Sequence, residues 1–181
     1  TGVAEEKGSL FDAIPEGGAA IVNLDDPHAL SWLNRIRPGR RVLGTHVVGA
    51  SDVAESLSPA FVAEPIANGA ATAMGQALRI TSPAGTIEVA LPLAGLHNAS
   101  NATQAMAAGF AAGLDLSQMA QALKTFGGVS GRLQQKPGHA GAAVIDDTYN
   151  ANPDSMRAAI NVLTAHGDDT ETVLVIGDTV S

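Results

Sequence analysis

The sequence predicts an α/β protein in which a mixed sheet with a β-hairpin is followed by one βαβ unit. Short apolar runs that end in polar residues alternate with amphipathic segments, as buried strands alternate with the helices that cover them. Near the end of the chain, the apolar runs 142–147 and 172–178 flank a helical pattern at 153–167, a spacing typical of a parallel crossover. Aromatic residues make up only 3% of the chain, so its core must consist of Ala, Val, Leu and Ile.

The first part of the chain predicts two helices and two strands. Residues 5–18, EEKGSLFDAIPEGG, indicate a short helix that a proline and two glycines close. Residues 19–26 predict a buried strand that ends in acids, and residues 27–36 predict a helix that begins at a proline. Residues 40–48 predict a second strand, whereas residues 49–75 are rich in Ala, Ser and Gly and have too weak a periodicity to assign.

A β-hairpin and two further helices are predicted next. In residues 76–93, apolar and polar residues alternate on either side of Ser-Pro-Ala-Gly, which indicates a hairpin with one buried face. Residues 97–113 predict a helix that Asn98 can cap and a glycine ends. Residues 115–128 predict another helix, whose first residue is an aspartate suited to capping.

The stretch 131–141 lacks such a pattern and separates these elements from the βαβ unit. We therefore expect two partial domains, residues 1–132 and residues 133–181. The chain begins with Thr rather than Met and ends directly after an apparent buried strand. We expect both ends to have been cut from a longer protein.

Composition and charge exclude several classes of protein. The net charge of −8 argues against nonspecific nucleic-acid binding, which needs clustered Lys and Arg, but leaves nucleotide binding open. The chain has no cysteine, which excludes disulfides and Cys-based zinc sites and is compatible with a reducing compartment. Neither a signal peptide nor an apolar run long enough for membrane insertion is present in the sequence.

The polar segment DDTYNANPDSM, residues 146–156, lies between two apolar runs. It follows a predicted strand, and ligands of open α/β sheets bind beyond the carboxyl ends of strands. We expect one crevice to be lined by Asp146, Asp147, Tyr149, Asn150, Asn152 and Asp178. An alternative for Asn152 alone is capping of the helix that begins at Pro153.

This segment resembles the signature of the Mur ligases, in the form used by members that add D-alanyl-D-alanine. Three more segments resemble that family in the same order: EEKGSLF its lysine-bearing helix, GLHNASNATQAMAAG its G-x-H-N-x-x-N-A helix, and SGRLQ its G-R segment. The resemblance covers nearly the whole chain and is weakest over residues 40–75. It implies the later part of the central ATPase domain, followed by the first βαβ unit of a Rossmann-like C-terminal domain.

The resemblance also implies an activity. Ligases of this kind use ATP and Mg²⁺ to join D-alanyl-D-alanine to UDP-N-acetylmuramoyl-tripeptide through an acyl phosphate. It further implies a cytoplasmic monomer that serves peptidoglycan synthesis, and through it cell-wall biogenesis, cell shape and cell division. The sequence contains no G-x-x-x-x-G-K-[ST] or G-x-x-G-K-[ST] phosphate loop and no UDP-binding domain, so we expect this chain not to turn over alone.

Roles in nucleotide binding follow from the resemblance for five residues. Asn98 and Asn101 would lie by the adenine ring, and Arg132 would reach the phosphates, which its planar fork suits. Asp147 would accept hydrogen bonds from the ribose, and Tyr149 would lie at the same nucleotide. The simpler alternatives are a helix cap for Asn98 and a solvated hinge residue for Arg132.

The resemblance assigns catalytic roles to Lys7, Asn150 and Asn152 besides Arg132. Lys7 would become a carbamate that holds Mg²⁺. Carbamate formation needs the neutral amine, and neighbouring cations favour the neutral amine by lowering the pKa of the lysine. The alternative is that Lys7 is an ordinary surface lysine. Tyr149, Asn150 and Asn152 would contact the incoming dipeptide or the acyl phosphate. For His97 we expect a structural role.

Three other interpretations compete with this one. A sister Mur ligase or a folylpolyglutamate synthase would share the fold, but the Tyr-Asn-Ala-Asn segment disfavours both. A noncatalytic or degenerate nucleotide-binding module of the same superfamily is the second alternative. A Rossmann dinucleotide domain is disfavoured because no G-x-G-x-x-G follows any predicted strand.

Overall fold

The computed structural model is a mixed five-stranded sheet with helices on both faces, followed by a two-stranded sheet and a helix. The described residues are 2–52, 54–67, 75–132, 134–149, 153–164 and 171–177. The larger sheet contains β1 (Ala19–Asn23), β2 (Arg41–Val47), β3 (Phe61–Ile66), β4 (Gln76–Ser82) and β5 (Gly85–Leu91). The remaining elements are α1 (Gly2–Asp12), α2 (Ala29–Leu33), α3 (Leu96–Ala111), α4 (Leu116–Lys124), β6 (Gln134–Pro137), β7 (Ala143–Asp146) and α5 (Pro153–Thr164). The predicted α/β class is confirmed.

The larger sheet has the strand order β1-β2-β3-β4-β5. β1, β2 and β3 run parallel, and β4 and β5 are added antiparallel. β4 and β5 form the predicted hairpin, in which Ser82 pairs with Gly85 around the turn residues Pro83 and Ala84. The carboxyl ends of the three parallel strands therefore share one edge of the sheet, as expected for an α/β protein.

The strand β3 lies in the stretch that the sequence left unassigned. Its Pro65 lowers the expectation of a strand, because proline cannot donate to a sheet ladder. The structure accommodates it because pairing of β3 with β2 ends at Ala63, whose partner is Val47. Pro65 lies beyond that point and pairs only with Leu78 of β4. Because β3 is not paired with β2 at this position, the absence of an N–H on Pro65 breaks no hydrogen bond between these two strands.

The main core lies between the sheet and the layer formed by α3 and α4. Its largest fully buried side chains come from the sheet and from α3, where small residues let the helix approach the strands closely. The buried members on the helices are Ala99, Ala102, Met106, Ala107 and Met119. The cap of α4 agrees with its prediction, since the side chain of Asp115 accepts hydrogen bonds from the N–H groups of Ser117 and Gln118.

The opposite face of the sheet is covered by α1 and α2. Ala20 and Val22 of β1 are buried there, with Phe11 and Trp32 packed against them. The indole N–H of Trp32 donates a hydrogen bond of 2.9 Å to the carbonyl of Ala4, which holds α1 on α2. The helix predicted within residues 5–18 and the strands predicted within residues 19–26 and 40–48 are therefore present as α1, β1 and β2.

Polar residues at the carboxyl ends of β1 and β2 bond mainly to each other. Asp25 accepts a hydrogen bond of 2.9 Å from the N–H of Val47 and lies 2.6 Å from Nδ1 of His46. His46 is buried, and its Nε2 has no hydrogen-bond partner among the described residues. Asp25, one of the acids that end the first predicted strand, therefore joins the end of β1 to the end of β2.

The end of the chain differs from its prediction. β7 pairs antiparallel with β6, which lies within the stretch predicted as the boundary, and Gln134 is opposite Asp146. The predicted strand at 172–178 is not formed over the described residues 171–177, which lack strand pairing and are exposed. Val175, for example, is 87% exposed. An apolar run becomes a strand only when a neighbour satisfies its N–H and C=O groups, and in the described part of the chain β7 takes β6 as its partner instead.

The helix α5 matches the predicted helix at 153–167 up to Thr164, and residues 165–167 lie outside the described ones. The division into residues 1–132 and residues 133–181 stays a prediction. Among the described helices, none combines the length and the hydropathy that crossing a membrane requires.

Candidate functional site

The start of α3 positions the first group of predicted binding residues. The helix begins at Leu96 and not at the predicted Asn98 cap, because Gly95 turns the chain with φ of +96°. The N–H groups of Asn98 and Ala99 both donate to the carbonyl of Gly95 at 3.1 Å. The Asn98 side chain instead donates through Nδ2 to the carbonyl of Ala94 at 2.7 Å, so the predicted cap is wrong.

Gln76 fixes the chain that leads into α3, a role that the sequence did not indicate. Its Nε2 donates to the carbonyls of Leu93 and Gly95, both at 2.9 Å. From the sequence, a glutamine at the start of a strand is expected to be solvated. The two carbonyls that Gln76 contacts lie 17 and 19 positions later, so no local pattern indicates the contact. Gln76 therefore holds the β5–α3 connection against β4.

Asn101 follows Asn98 by three positions on α3 and is exposed, whereas Asn98 is half-buried. Residues three apart on a helix share a face. The exposed carboxamide of Asn101 can both donate and accept hydrogen bonds, as recognition of an adenine edge requires. Its predicted role at the nucleotide stays a prediction.

A turn at residues 129–132 meets the loop at residues 146–149. The N–H of Tyr149 donates a 2.9 Å hydrogen bond to the carbonyl of Gly131, and the N–H of Arg132 donates to the carbonyl of Val129 at 3.0 Å. Gly131 is buried with φ of +72°, and a Cβ there would lie 3.2 Å from the nitrogen of Tyr149. Two predicted site segments are therefore joined through their backbones.

Arg132 and Tyr149 also meet through their side chains. The centre of the Arg132 guanidinium lies 4.1 Å from the centroid of the Tyr149 ring, which is a cation–π contact. Both residues are exposed, and Tyr149 is 64% exposed. The structure thus brings together two predicted nucleotide-binding residues that are 17 positions apart in sequence.

Asp146 anchors the loop that carries Tyr149. Its Oδ1 accepts hydrogen bonds from the N–H and the hydroxyl of Thr148, at 3.2 and 2.7 Å, and its Oδ2 pairs with the ammonium of Lys136. Lys136, followed by the Thr148 hydroxyl, lowers the pKa of Asp146. Both oxygens of Asp146 are therefore engaged within the protein, and its expected place among the ligand-binding residues stays a prediction.

Asp147 and His97 link the loop to the start of α3. Burial lowers the pKa of His97, and the negative charge of Asp147 opposes that shift by a smaller amount. His97 lies over Gly95, with its Cε1 2.9 Å from the position of a Cβ on that glycine. The packing agrees with the structural role expected for His97, and it places the predicted ribose-binding Asp147 near the α3 residues.

The helix α5 covers the same region. Val162 is 6% exposed, and its Cγ2 would lie 3.5 Å from a Cβ on Gly95. The start of α3, the turn 129–132, the loop 146–149 and α5 therefore form one candidate site. Asn150, Asn152 and Asp178 lie outside the described residues.

Lys7 lies apart from this cluster, on α1 and on the other face of the sheet. It is exposed, while the neighbouring Gly8 is buried against the Trp32 indole. Arg35, two residues after the end of α2, donates to Asp12 of α1 at 2.6 Å. No group of three or more His, Cys, Asp or Glu side chains that could hold a metal ion occurs in the described part of the chain.

The fold and the candidate site define an α/β protein in which an exposed arginine, an aspartate and two asparagines lie in one region, a set of groups that suits a nucleotide-dependent ligase. Residues 1–109 match the model of the Mur ligase middle domain, and residues 131–180 match that of the Mur ligase glutamate ligase domain. The chain belongs to the Mur ligase family.

Individual relatives agree with this assignment. The UDP-N-acetylmuramoyl-tripeptide–D-alanyl-D-alanine ligase of Escherichia coli (strain K12) is 34% identical over 98% of this chain and 36% of its own length. The crystal structure of MurF from Acinetobacter baumannii is 29% identical with a TM-score of 0.75, covering 90% of this chain and 33% of that one. The Thermotoga maritima MurF ligase in complex with ADP has a TM-score of 0.65 at 18% identity, covering 90% of this chain and 34% of that one, which shows the fold alone. The chain spans about a third of the length of these relatives.

Replacement of Gly131 by alanine should disturb the site more than the same change at another left-handed glycine. Gly39 has φ of +83° and open space around it, so Gly39→Ala introduces backbone strain alone. Gly131→Ala adds the contact with Tyr149, and we expect it to lower the free energy of unfolding by roughly 1 kcal/mol more than Gly39→Ala does. Urea denaturation of both variants measures the difference, and equal losses would contradict the proposed contact.

His97 should make stability depend on pH just below neutrality. Because the pKa of His97 is lowered from 6.5 in the folded state, the unfolded state takes up a proton first as the pH falls. The contribution of neutral His97 to the free energy of unfolding is complete above pH 6.5 and is lost as the pH falls towards the pKa of the folded state. We expect His97→Gln to flatten the unfolding free energy between about pH 7 and about pH 5, and His139→Gln, at an exposed position, to leave the slope unchanged. Denaturation at several pH values tests this, and an equal slope in wild type and His97→Gln would refute it.

Proposed function

We propose that this chain forms part of an ATP-dependent ligase that joins D-alanyl-D-alanine to UDP-N-acetylmuramoyl-tripeptide in peptidoglycan precursor synthesis. The observation that carries the proposal is the contact between the turn of Arg132 and the loop of Tyr149, beside the start of α3. This contact gathers a permanent cation, a carboxylate and amides in one region of the protein. Such groups recognise the phosphates, ribose and base of a nucleotide.

Arg132 supplies the positive charge for the phosphates. Its guanidinium is always protonated and presents its N–H groups in a plane, so it can bind two phosphate oxygens at once. In phosphoryl transfer the protein mainly positions the reactants and stabilises charge, which is the task assigned to Arg132. Asp147 would accept hydrogen bonds from the ribose hydroxyls, and Asn98 and Asn101 would lie along the base.

The tripeptide carboxylate would be activated as an acyl phosphate, and the amine of D-alanyl-D-alanine would then displace phosphate. Tyr149, Asn150 and Asn152 belong to the segment that would face this chemistry. Mg²⁺ would offset charge on the transferring group. The family resemblance, rather than the geometry of the candidate site, supports the proposal that Lys7, as a carbamate, holds the ion.

The remaining features of the proposal concern the protein in its cell. We propose a cytoplasmic monomer whose product enters cell-wall biogenesis and thereby affects cell shape and cell division. The absence of cysteine is compatible with this compartment. Gel filtration with light scattering tests the oligomeric state, and a dimer would contradict it.

Ligase activity should depend on Arg132. In the protein as encoded by its gene, we expect ADP release that requires both the tripeptide and D-alanyl-D-alanine. Arg132→Ala should lower kcat/KM for ATP by about 100-fold. This is the usual effect of removing one hydrogen-bond donor that stabilises negative charge developing in the transition state. Arg79→Ala removes a half-exposed arginine that pairs with Glu88 on the hairpin and is the matched control with unchanged kinetics.

Mass spectrometry of the product completes this test. A UDP-N-acetylmuramoyl-pentapeptide product supports the proposal. Release of ADP with another amino acid in place of the dipeptide would indicate a sister ligase. Nucleotide binding without any ligation would indicate a noncatalytic module.

Lys7 should carry a carbamate. With ¹³C-bicarbonate, we expect a carbamate signal in the NMR spectrum that Lys7→Arg removes. The same variant should lower kcat by about 100-fold, because a bound metal ion stabilises transition-state charge. Lys124→Arg, an exposed lysine at the end of α4, is the control that keeps both signal and rate. A signal that persists in Lys7→Arg would contradict the assignment.

A further inference from the structure

We infer that Tyr149 is a positioning residue that acts on the reaction through Arg132 and does not itself bind the dipeptide. This inference rests on the proposed function, in which Arg132 reaches the nucleotide phosphates. It differs from the expectation drawn from the sequence, which placed Tyr149 against the nucleotide, the dipeptide or the acyl phosphate.

One face of the Tyr149 ring is occupied by a cation. The guanidinium centre lies 4.1 Å from the ring centroid, well within the range in which the ring quadrupole attracts a cation. The N–H groups of a guanidinium lie in its own plane, so an arginine held over a ring by its flat face keeps them free to donate to phosphate oxygens.

The backbone sets this contact before any ligand binds. Tyr149 donates its N–H to the carbonyl of Gly131, the residue immediately before Arg132. The absence of a side chain at Gly131 lets the two segments approach to this distance, because a Cβ there would lie 3.2 Å from the Tyr149 nitrogen. The ring and the guanidinium are therefore carried on two backbones held at a fixed spacing.

The loop itself is anchored on its other side. Asp146, three positions before Tyr149, is held by Lys136 of β6 and by Thr148. Tyr149 is therefore attached to a loop that the β6–β7 sheet supports. An exposed arginine samples many rotamers, and a fixed ring beneath it reduces the freedom that it must lose on binding phosphate.

A set of three variants separates positioning from direct contact. Tyr149→Leu removes the ring, and we expect it to raise KM for ATP about tenfold while kcat and KM for D-alanyl-D-alanine stay within about twofold. Tyr149→Phe keeps the ring and should restore KM for ATP to within about threefold of wild type. Tyr149→Leu added to Arg132→Ala should cause at most about twofold further loss, because residues that act as one unit are not additive.

The matched control uses another cation–π pair among the described residues, Arg41 with Phe110. Phe110→Leu removes the ring that lies 5.1 Å from Arg41, and we expect it to lower the melting temperature without changing KM for ATP. This variant separates the general loss of an aromatic ring from the loss of the ring under Arg132.

Fluorine NMR gives a reading that needs no catalysis. In protein labelled with 3-fluorotyrosine, Tyr149→Phe assigns the Tyr149 resonance. That resonance should shift in Arg132→Ala and stay in place in Arg79→Ala.

Several outcomes would overturn the inference while leaving the proposed function intact. These are a rise in KM for the dipeptide in Tyr149→Leu, additive losses in the double variant, or an unmoved fluorine resonance in Arg132→Ala. Failure of the wild-type protein to ligate at all would instead contradict the proposed function.

Discussion

Close packing of α3 on the larger sheet is the constraint on which the candidate site depends. The helix lies over β1, β2 and β3 through Ala99, Ala102 and Ala107, small residues that allow a short distance between helix and strands. Its first turn is fixed by Gly95, and Gln76 holds the preceding connection to β4. The orientation of the α3 start, and with it the placement of the candidate adenine-binding amides, therefore follows from core packing.

The second half of the candidate site is held differently. The loop 146–149 follows the two-stranded sheet of β6 and β7, in which, over the described residues, each strand pairs with the other. Its contacts with the turn 129–132 include a backbone hydrogen bond and a cation–π pair. A ligand that spans both halves would thus join a helix start packed on the core to a loop held mainly by polar contacts. Such an arrangement suits a domain that closes on a bound nucleotide.

Local signals decide how much of the fold the sequence could predict. The hairpin, β1, β2 and the cap of α4 were predicted because turn residues, short apolar runs and Asp115 act within a few positions. β3 was missed because residues 49–75 are rich in Ala, Ser and Gly and have too weak a periodicity to assign, and its Pro65 is tolerated because pairing with β2 ends at Ala63. The start of α3 was predicted to within one residue, but its capping residue was not, because the left-handed conformation of Gly95 is not visible in a sequence. The run 172–178 has the composition of a buried strand, but composition does not provide a pairing partner.

The candidate site, like the fold, could be predicted only where local sequence signals exist. The polar loop is visible in the sequence because it interrupts two apolar runs, and the family resemblance was needed to give its residues roles. The meeting of Arg132 with Tyr149 could not be predicted, since it depends on a turn, a loop and the register of β6 against β7. That register also explains how an acidic loop can lie beside Arg132, the residue proposed to bind phosphate. Both oxygens of Asp146 are engaged, one by Thr148 and the other by Lys136, so this carboxylate is less available to pair with Arg132. In a chain with a net charge of −8, the pairing favours the role proposed for Arg132, because Lys136 neutralises one acid of the adjoining loop.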